Sequence, residues 1–249
     1  MMKKLYRKSE LTFAIIWIVA YCVLLSLGDA FSEKVGISKS VTLPIAAALS
    51  IILFIYIKKN GLMIKYGFCK PVVSCKKMLF YIPLALLLTV NLWYGVTMNL
   101  SVKETVLYIL TMLCVGFLEE VIFRGLLFNA MAKDGVKSAI AVSSITFGIG
   151  HIINLINGSG AELVPNLLQV VYAIATGFML VMIFHKSKSL IACIGFHGIF
   201  NSLSVFSDEA ALTLGQRIGS CAFIVFISVA YGVYLVVSVK SERTETDKK

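Results

Sequence analysis

Residues 104–132 read ETVLYILTMLCVGFLEEVIFRGLLFNAMA. This stretch is long and apolar enough for a helix that crosses a lipid bilayer, which needs about 20 apolar residues. Three charged side chains nevertheless lie near its middle: Glu119, Glu120 and Arg124. A charge at the centre of a membrane helix costs about 2.5–3.5 kcal/mol on insertion scales, so such residues usually face a bundle interior and mark function. The stretch therefore predicts a membrane helix in a bundle with a polar interior.

The rest of the chain repeats this apolar pattern. Hydrophobic residues make up 59% of the 249 residues and charged residues 14%, whereas soluble domains have about 45–50% and 25%. The apolar blocks predict eight membrane helices, at about 11–28, 43–57, 79–98, 104–132, 138–155, 167–184, 189–206 and 218–239. We therefore predict an all-α, polytopic membrane protein with one structural domain and an intramembrane polar cavity.

Lysine and arginine residues are divided unevenly between the two sides of this predicted bundle. If the N-terminus is cytoplasmic, eighteen of the 23 lie on the cytoplasmic side and four on the other side, and Arg124 remains inside a span. Because Lys and Arg favour cytoplasmic loops, the pattern predicts a multi-pass protein of the cell membrane with both termini in the cytoplasm. This asymmetry accounts for the net charge of +10 without a nucleic-acid partner.

The spacing of the three charges separates their predicted roles. Glu120 and Arg124 are four residues apart and lie on one helix face, where they can form an ion pair. Glu119 is turned away from Arg124 by roughly 140°. We therefore interpret Glu120 and Arg124 as structural, and Glu119 as a buried carboxylate suited to general-base chemistry. The alternative is a single salt-bridged structural cluster of all three charges.

Two further predicted spans supply histidines. Phe147 and His151 are four residues apart in the fifth span, and His197 and Asn201 are four apart in the seventh. Counted from the predicted span ends at 1.5 Å per residue, these polar groups and Glu119 lie roughly 12–20 Å from the cytoplasmic side. A buried histidine can also be an ordinary hydrogen-bonded core residue. The shared depth favours a common pocket.

Glycines surround the same polar residues, and two explanations for them stay open. They are Gly116, Gly125, Gly148, Gly150, Gly195 and Gly198. Small residues let membrane helices approach closely. They would equally leave room for an extended substrate at the site.

A carboxylate, two imidazoles and a carboxamide could together hydrolyse an amide bond. Glu119 would act as base on a water molecule with the help of His151, and His197 and Asn201 would donate hydrogen bonds to the oxyanion. We expect no cofactor. Because a catalytic zinc ion can be held by two His and one Glu, zinc on Glu119, His151 and His197 is the alternative.

The motifs resemble those of the CPBP family, which groups the CAAX prenyl endopeptidases with the bacterial Abi proteins. Its pattern is Glu-Glu-x-x-x-Arg, Phe-x-x-x-His and His-x-x-x-Asn or Asp on three membrane helices. The matching residues here are Glu119, Glu120, Arg124, Phe147, His151, His197 and Asn201. The resemblance implies an eight-helix fold, a conical cavity that opens to the cytoplasm and the membrane, and a glutamate-activated water without a metal. The CAAX branch processes prenylated proteins, and the Abi branch is associated with bacteriocin immunity and peptide signalling.

We therefore predict an intramembrane endopeptidase that acts on membrane-associated peptides or proteins and is in contact with membrane lipid. Residues 1–103 would hold three spans, 104–206 the four-span catalytic core, and 207–249 the last span with a charged cytoplasmic tail. One alternative is a non-catalytic bacteriocin-immunity or scaffold protein that uses the same cavity for binding. A small-solute transporter is less favoured, because the sequence lacks inverted repeats with broken helices.

Overall fold

The computed structural model describes residues 2–157 and 161–239. Within these ranges the chain is helical apart from short connections and one isolated bridge between Val96 and Ser207. The α-helices of the described ranges are α1 Met2–Lys8, α2 Glu10–Val35, α3 Thr42–Lys59, α4 Ile82–Leu88, α5 Val102–Glu119, α6 Asn129–Ala132, α7 Val136–Gly150, α8 Leu163–Ser187, α9 Ile191–Leu203 and α10 Leu214–Ser238.

Six helical segments of the described ranges are long and apolar enough to cross a membrane. They are Glu10–Val35, Thr42–Lys59, Val102–Ala132, Val136–Leu155, Leu163–Ser187 and Leu214–Ser238. Their outward faces are apolar: Ile15, Val19 and Val23 recur every four residues on α2, and each is about half exposed. Large exposed apolar surfaces of this kind mark contact with membranes or partners. The prediction of an all-α, polytopic membrane protein is confirmed.

The third predicted span, residues 79–98, is not a continuous helix. α4 lies between two 3₁₀ turns, Leu79–Tyr81 and Val90–Leu92. All three residues of the first turn have positive φ, between 48° and 57°, a region that right-handed helices do not use. Residues 95–100 are not helical. The apolar pattern located this segment but could not reveal the break, because backbone angles and not hydrophobicity set it.

The seventh predicted span, residues 189–206, is a short helix inside the bundle. α9 has 13 residues, or about 20 Å at 1.5 Å per residue, whereas the hydrocarbon layer is about 30 Å thick. A 3₁₀ turn, Ser204–Phe206, follows it. α9 packs mainly against α5, so it brings its polar residues to the helix that carries the charges.

The start of α5 is fixed by hydrogen bonds. The Ser101 hydroxyl accepts from the backbone N–H of Glu104, and the Glu104 carboxylate accepts from the backbone N–H of Ser101, both at 3.3 Å. Two such reciprocal bonds satisfy N–H groups that a helix start leaves free. The same carboxylate accepts from the backbone N–H of Ser38 at 3.0 Å. Glu104 therefore ties the start of α5 to the α2–α3 connection.

The helix that carries the three charges changes its winding after Glu119. Residues Glu120–Phe128 form a π-helix, and all nine are buried. Such wider turns are rare in proteins overall, and those that do occur are often found at functional sites. The regular α-helical winding that we assumed from the sequence is therefore wrong for this segment. The four-residue spacing still leaves Glu120 and Arg124 within contact.

Candidate active site

Glu120, Arg124 and His197 form a buried charge cluster between the π-helix and α9. Arg124 Nη1 donates to Glu120 Oε1 at 2.9 Å, and both side chains are 0% exposed. His197 Nδ1 lies 2.7 Å from the same oxygen. Because an ionised carboxylate only accepts hydrogen bonds, Nδ1 carries a proton there. The structure thus contains the ion pair that the four-residue spacing predicts, and adds His197 to it.

Phe147 of α7 packs against this cluster. Its ring centroid lies 4.1 Å from the guanidinium carbon of Arg124, a distance at which a cation is attracted to the aromatic face. The rings of His151 and His197 approach Phe147 edge-on, at centroid distances of 5.2 Å and 5.5 Å. Phe147 therefore contacts three of the predicted site residues, which suits the orienting role expected for it.

Glu119 has different neighbours from Glu120. Tyr21 of α2 donates its hydroxyl to Glu119 Oε1 at 2.7 Å. Glu119 Oε2 lies 3.2 Å from His197 Nε2, which is within ion-pair distance, although the angle is not that of a hydrogen bond. Arg124 pairs with Glu120 and not with Glu119 in the described part of the chain. The two adjacent carboxylates therefore share His197 but differ in their second partner, which is Tyr21 for Glu119 and Arg124 for Glu120.

The two carboxylates also differ in their access to a cavity of about 390 Å³. Glu119, His151 and Asn201 line the cavity. Glu120, Arg124 and His197 do not line it. A molecule in the cavity would therefore meet the Glu119 carboxylate, while the buried cluster stays behind the wall.

His151 and Asn201 present hydrogen-bonding groups to this cavity. His151 Nδ1 lies 3.1 Å from the carbonyl oxygen of Phe147, so Nδ1 is the protonated nitrogen in that contact. Nε2 of a neutral His151 is then an acceptor. The Asn201 carboxamide has no hydrogen bond within residues 2–157 and 161–239, although it lines the cavity. Its N–H groups can donate to a bound molecule.

The structure therefore brings the seven predicted residues to one site but arranges the histidines differently from our expectation. His197, and not His151, contacts Glu119, and its two ring nitrogens face the carboxylates of Glu119 and Glu120. His197 does not line the cavity, whereas Asn201 does; the role of His197 as an oxyanion donor stays a prediction. His151 lines the same cavity as Glu119.

The alternative zinc set does not fit a metal ion in this arrangement. No group of three His, Cys, Asp or Glu side chains in the described ranges is placed to hold one. Because both ring nitrogens of His197 face carboxylates, Glu119, His151 and His197 do not converge on one point with free donor atoms.

Tyr21 is the site residue that the sequence motifs missed. It lies in the first predicted span, about 100 residues before the motifs, and it is 9% exposed. A buried tyrosine hydroxyl usually finds a hydrogen-bond partner, so a tyrosine in the middle of an apolar span was the available signal. The span order alone could not show which helix would pack beside Glu119.

Four of the six glycines fall into two groups. A Cβ atom at Gly116 would lie 2.5 Å from the backbone nitrogen of Gly198, and one at Gly148 would lie 2.7 Å from that of Ile174. These positions are required for close helix packing. A Cβ atom at Gly150 or Gly195 would meet nothing within 4 Å, and Gly150 lines the cavity.

Part of the chain matches a known protein family. Residues 101–203 match the family model described as Rce1-like, type II CAAX prenyl endopeptidase Rce1-like. This segment is similar to that family. The comparisons with curated proteins and with solved structures find no match.

The Rce1-like segment coincides with structural boundaries. It begins at Ser101, which caps α5, and it ends at Leu203, the last residue of α9. All seven motif residues lie inside it, whereas Tyr21 lies outside. Because the Rce1-like family is a family of proteases, the match supports peptidase activity, and the resemblance seen in the sequence is confirmed for this part of the chain.

Proposed function

We propose that the protein is an intramembrane endopeptidase that hydrolyses peptide bonds of membrane-associated peptides or proteins. The observation that carries the proposal is the position of Glu119: it is a carboxylate that lines a cavity and is held from two sides by Tyr21 and His197. A base held in this way can act on a water molecule without reorganising. The Rce1-like match supports the same class of reaction.

The reaction begins with proton transfer. Glu119 takes a proton from a water molecule while the water oxygen bonds to the scissile carbonyl carbon. His151 Nε2 accepts a hydrogen bond from the same water. Asn201 donates to the carbonyl oxygen as it becomes an oxyanion. The intermediate then breaks its C–N bond, and the proton on Glu119 passes to the leaving nitrogen.

The remaining site residues position these groups. Tyr21 holds one oxygen of Glu119 by a hydrogen bond, and His197 lies 3.2 Å from the other. Glu120, Arg124 and Phe147 hold His197 and the π-helix. We propose that the protein lies in the cell membrane with both termini cytoplasmic, as the distribution of Lys and Arg indicates. Its partners are then lipid and membrane-associated substrates.

The test compares cells that contain the wild type, Glu119→Gln or Glu33→Gln. Glu33 is exposed near the end of α2, so its variant controls for loss of one carboxylate. We expect peptides released from membrane proteins to disappear only with Glu119→Gln, as measured by mass spectrometry of membrane and secreted peptides. Identical peptides in all three strains would contradict the proposal. A protein that only binds peptides would give that result.

A further inference from the structure

Among the residues that the structure describes, those that line the cavity at Glu119 extend from it toward one end of the bundle. Tyr108 also lines it, so the cavity follows α5 for eleven residues, or roughly 16 Å. Asp29, near the end of α2, and Glu209, after α9, line its outer part. Glu209 is exposed. These residues lie at the end of the bundle where α2 finishes and α5 begins, opposite the N-terminal end of α2.

In the ranges 2–157 and 161–239, the other end of the bundle is closed behind Glu119. Every residue from Leu118 to Phe128 is buried, and the Glu120–Arg124 pair is 0% exposed. Beyond this wall, Glu10 at the start of α2 pairs with Lys65 at 2.6 Å and with Lys133 at 2.9 Å. The helix ends there are tied together, and the cavity lining does not include them.

A second cavity continues the first at the open end. It has a volume of about 530 Å³, and both cavities lie within the size range of ligand sites, about 300–1,000 Å³. Six residues line both of them: Asn91, Ala161, Gln169, Tyr172, Phe200 and Glu209. The shared lining makes a two-part groove that begins at Glu119 and passes between α8, α9 and α10.

The lining of the second cavity suits a peptide backbone. It carries the polar side chains of Asn91, Glu162, Asn166 and Gln169 beside apolar groups such as Ile224. Peptide N–H and C=O groups must find partners when they leave water, and carboxamides both donate and accept. An extended peptide that reaches Glu119 would therefore find hydrogen-bonding groups along this part of the groove.

The charges of the chain orient the two ends. The closed end carries the basic segments of α1, of residues 58–77 and of the connections after α6 and α8. The open end carries four basic residues, Lys34, Lys39, Lys103 and Arg217, against six acidic ones, Asp29, Glu33, Glu104, Glu162, Asp208 and Glu209. Because basic loops stay in the cytoplasm, the open end faces the other side of the membrane.

We propose that substrates reach Glu119 from the extracytoplasmic side, as extended peptide segments that occupy both parts of the groove. The substrates are then extracytoplasmic segments of exported or membrane-anchored peptides. This differs from the cavity that the CPBP resemblance implies, which opens to the cytoplasm. The proposal rests on the proposed function for its chemistry, but the direction of access can be measured without any hydrolysis.

The first experiment measures which side the groove opens to. Ala161, which is exposed and lines both cavities, is replaced by cysteine in a protein whose six native cysteines are replaced by alanine. The matched control retains only Cys75, which is exposed at the closed end. We expect a membrane-impermeant maleimide to label Ala161→Cys in intact cells, and Cys75 only after permeabilisation.

The reverse pattern, or labelling of both cysteines only after permeabilisation, would overturn the proposed direction of access. It would leave the proposed function untouched, because labelling does not depend on catalysis. Conversely, loss of the Glu119 dependence of peptide release would overturn the proposed function whatever the labelling shows.

The second experiment tests whether the substrate occupies the shared part of the groove. Gln169→Trp fills the region between the two cavities, whereas Leu167→Trp, two residues earlier on α8, adds the same side chain to an exposed position. With a substrate identified from the released peptides, we expect kcat/KM to fall about tenfold or more for Gln169→Trp and to stay unchanged for Leu167→Trp. Equal kcat/KM values for the two variants would overturn the placement of the peptide.

Discussion

Glu119 and Glu120 are adjacent in the sequence, yet their surroundings suit opposite tasks. Glu120 shares one oxygen with Arg124 and His197 behind the cavity wall. Glu119 accepts a hydrogen bond from Tyr21 and lines the cavity. A buried ion pair loses several kcal/mol when one partner is removed, because the other charge stays buried without compensation. Stability measurements can therefore separate the structural carboxylate from the chemical one.

We expect Glu120→Gln to lower the free energy of unfolding by about 3–5 kcal/mol, because Arg124 would keep a buried charge without its anion. The same substitution at Glu119 leaves Arg124 paired and is expected to change stability much less. Thermal unfolding of the two variants in detergent measures the difference. Equal destabilisation would favour the alternative in which all three charges form one structural cluster.

Tyr21→Phe is expected to lower kcat for peptide hydrolysis by about 10–100-fold, because a hydrogen bond to a charged group contributes about 1.5–3 kcal/mol. KM should change little, since the hydroxyl holds the base and not the substrate. Steady-state kinetics on a released peptide sequence measure both constants.

Tyr231→Phe provides the control for Tyr21→Phe. Its hydroxyl also makes a buried hydrogen bond, to the carbonyl of Met78 at 2.7 Å, but it lies outside the cavity lining. If both variants lose kcat equally, Tyr21 acts through stability alone and does not position Glu119.

At the level of the helices, the site depends on how closely α5 and α9 approach. Gly116 lies one turn before Glu119 and Glu120, and its Cα faces the backbone of Gly198, next to His197. Small residues permit such contact between membrane helices. The close contact between Gly116 and Gly198, one helical turn from the charges, thus sets the distance between Glu120 and His197.

Gly116→Ala is expected to destabilise the protein by about 1–3 kcal/mol, the usual cost of overpacking, and to lower activity because α9 must move away from Glu120. Gly195→Ala is the control on α9, since its Cβ meets nothing within 4 Å. That change should stabilise the helix by up to about 1 kcal/mol. Unfolding temperature and hydrolysis rate are measured for both, and a silent Gly116→Ala would contradict the packing argument.

The sequence predicted most helices and the residues of the site, but not their detailed arrangement. Hydrophobic blocks located α2, α5, α8 and α10 because membrane helices must bury their backbone polar groups in long apolar segments. Three features could not be predicted from hydrophobic periodicity, because they depend on tertiary contacts. They are the break at Leu79–Tyr81, the short α9 and the π-helix. The contact of His197 with both glutamates likewise depends on how α9 is rotated.

At the scale of the whole molecule, a polar network closes the basic end. Lys65 lies between α3 and α4 and donates to Glu10 at 2.6 Å and to the Tyr6 hydroxyl at 2.7 Å. Burial alone would lower the pKa of Lys65, but the hydrogen bonds to Glu10 and Tyr6 outweigh it and raise that pKa above its usual value. Lys65 therefore stays charged and keeps α1 and α2 joined to the loop.

The raised pKa of Lys65 predicts a pH dependence. Because the pKa of Lys65 is higher in the folded state than in the unfolded state, its protonated form stabilises the fold. This stabilisation is fully present below the unfolded lysine pKa of about 10.4, and it is lost as the pH rises through the folded-state pKa. Because the pair is partly exposed, Lys65→Met should cost less than about 1 kcal/mol near neutral pH, and its difference from the wild type should shrink above about pH 10.4.

Thermal unfolding of the wild type and Lys65→Met between pH 7 and pH 11 measures this effect. Lys59→Met is the control, because Lys59 is exposed and has no ion pair in the described ranges. A difference between the wild type and Lys65→Met that grows with pH would contradict the prediction.

The one-sided cavity also has an electrical consequence. Where water fills the groove, the bilayer no longer insulates, so most of the transmembrane voltage must fall across the sealed layer from Leu118 to Phe128. Under the proposed direction of access, substrate and water therefore reach Glu119 without crossing this voltage drop.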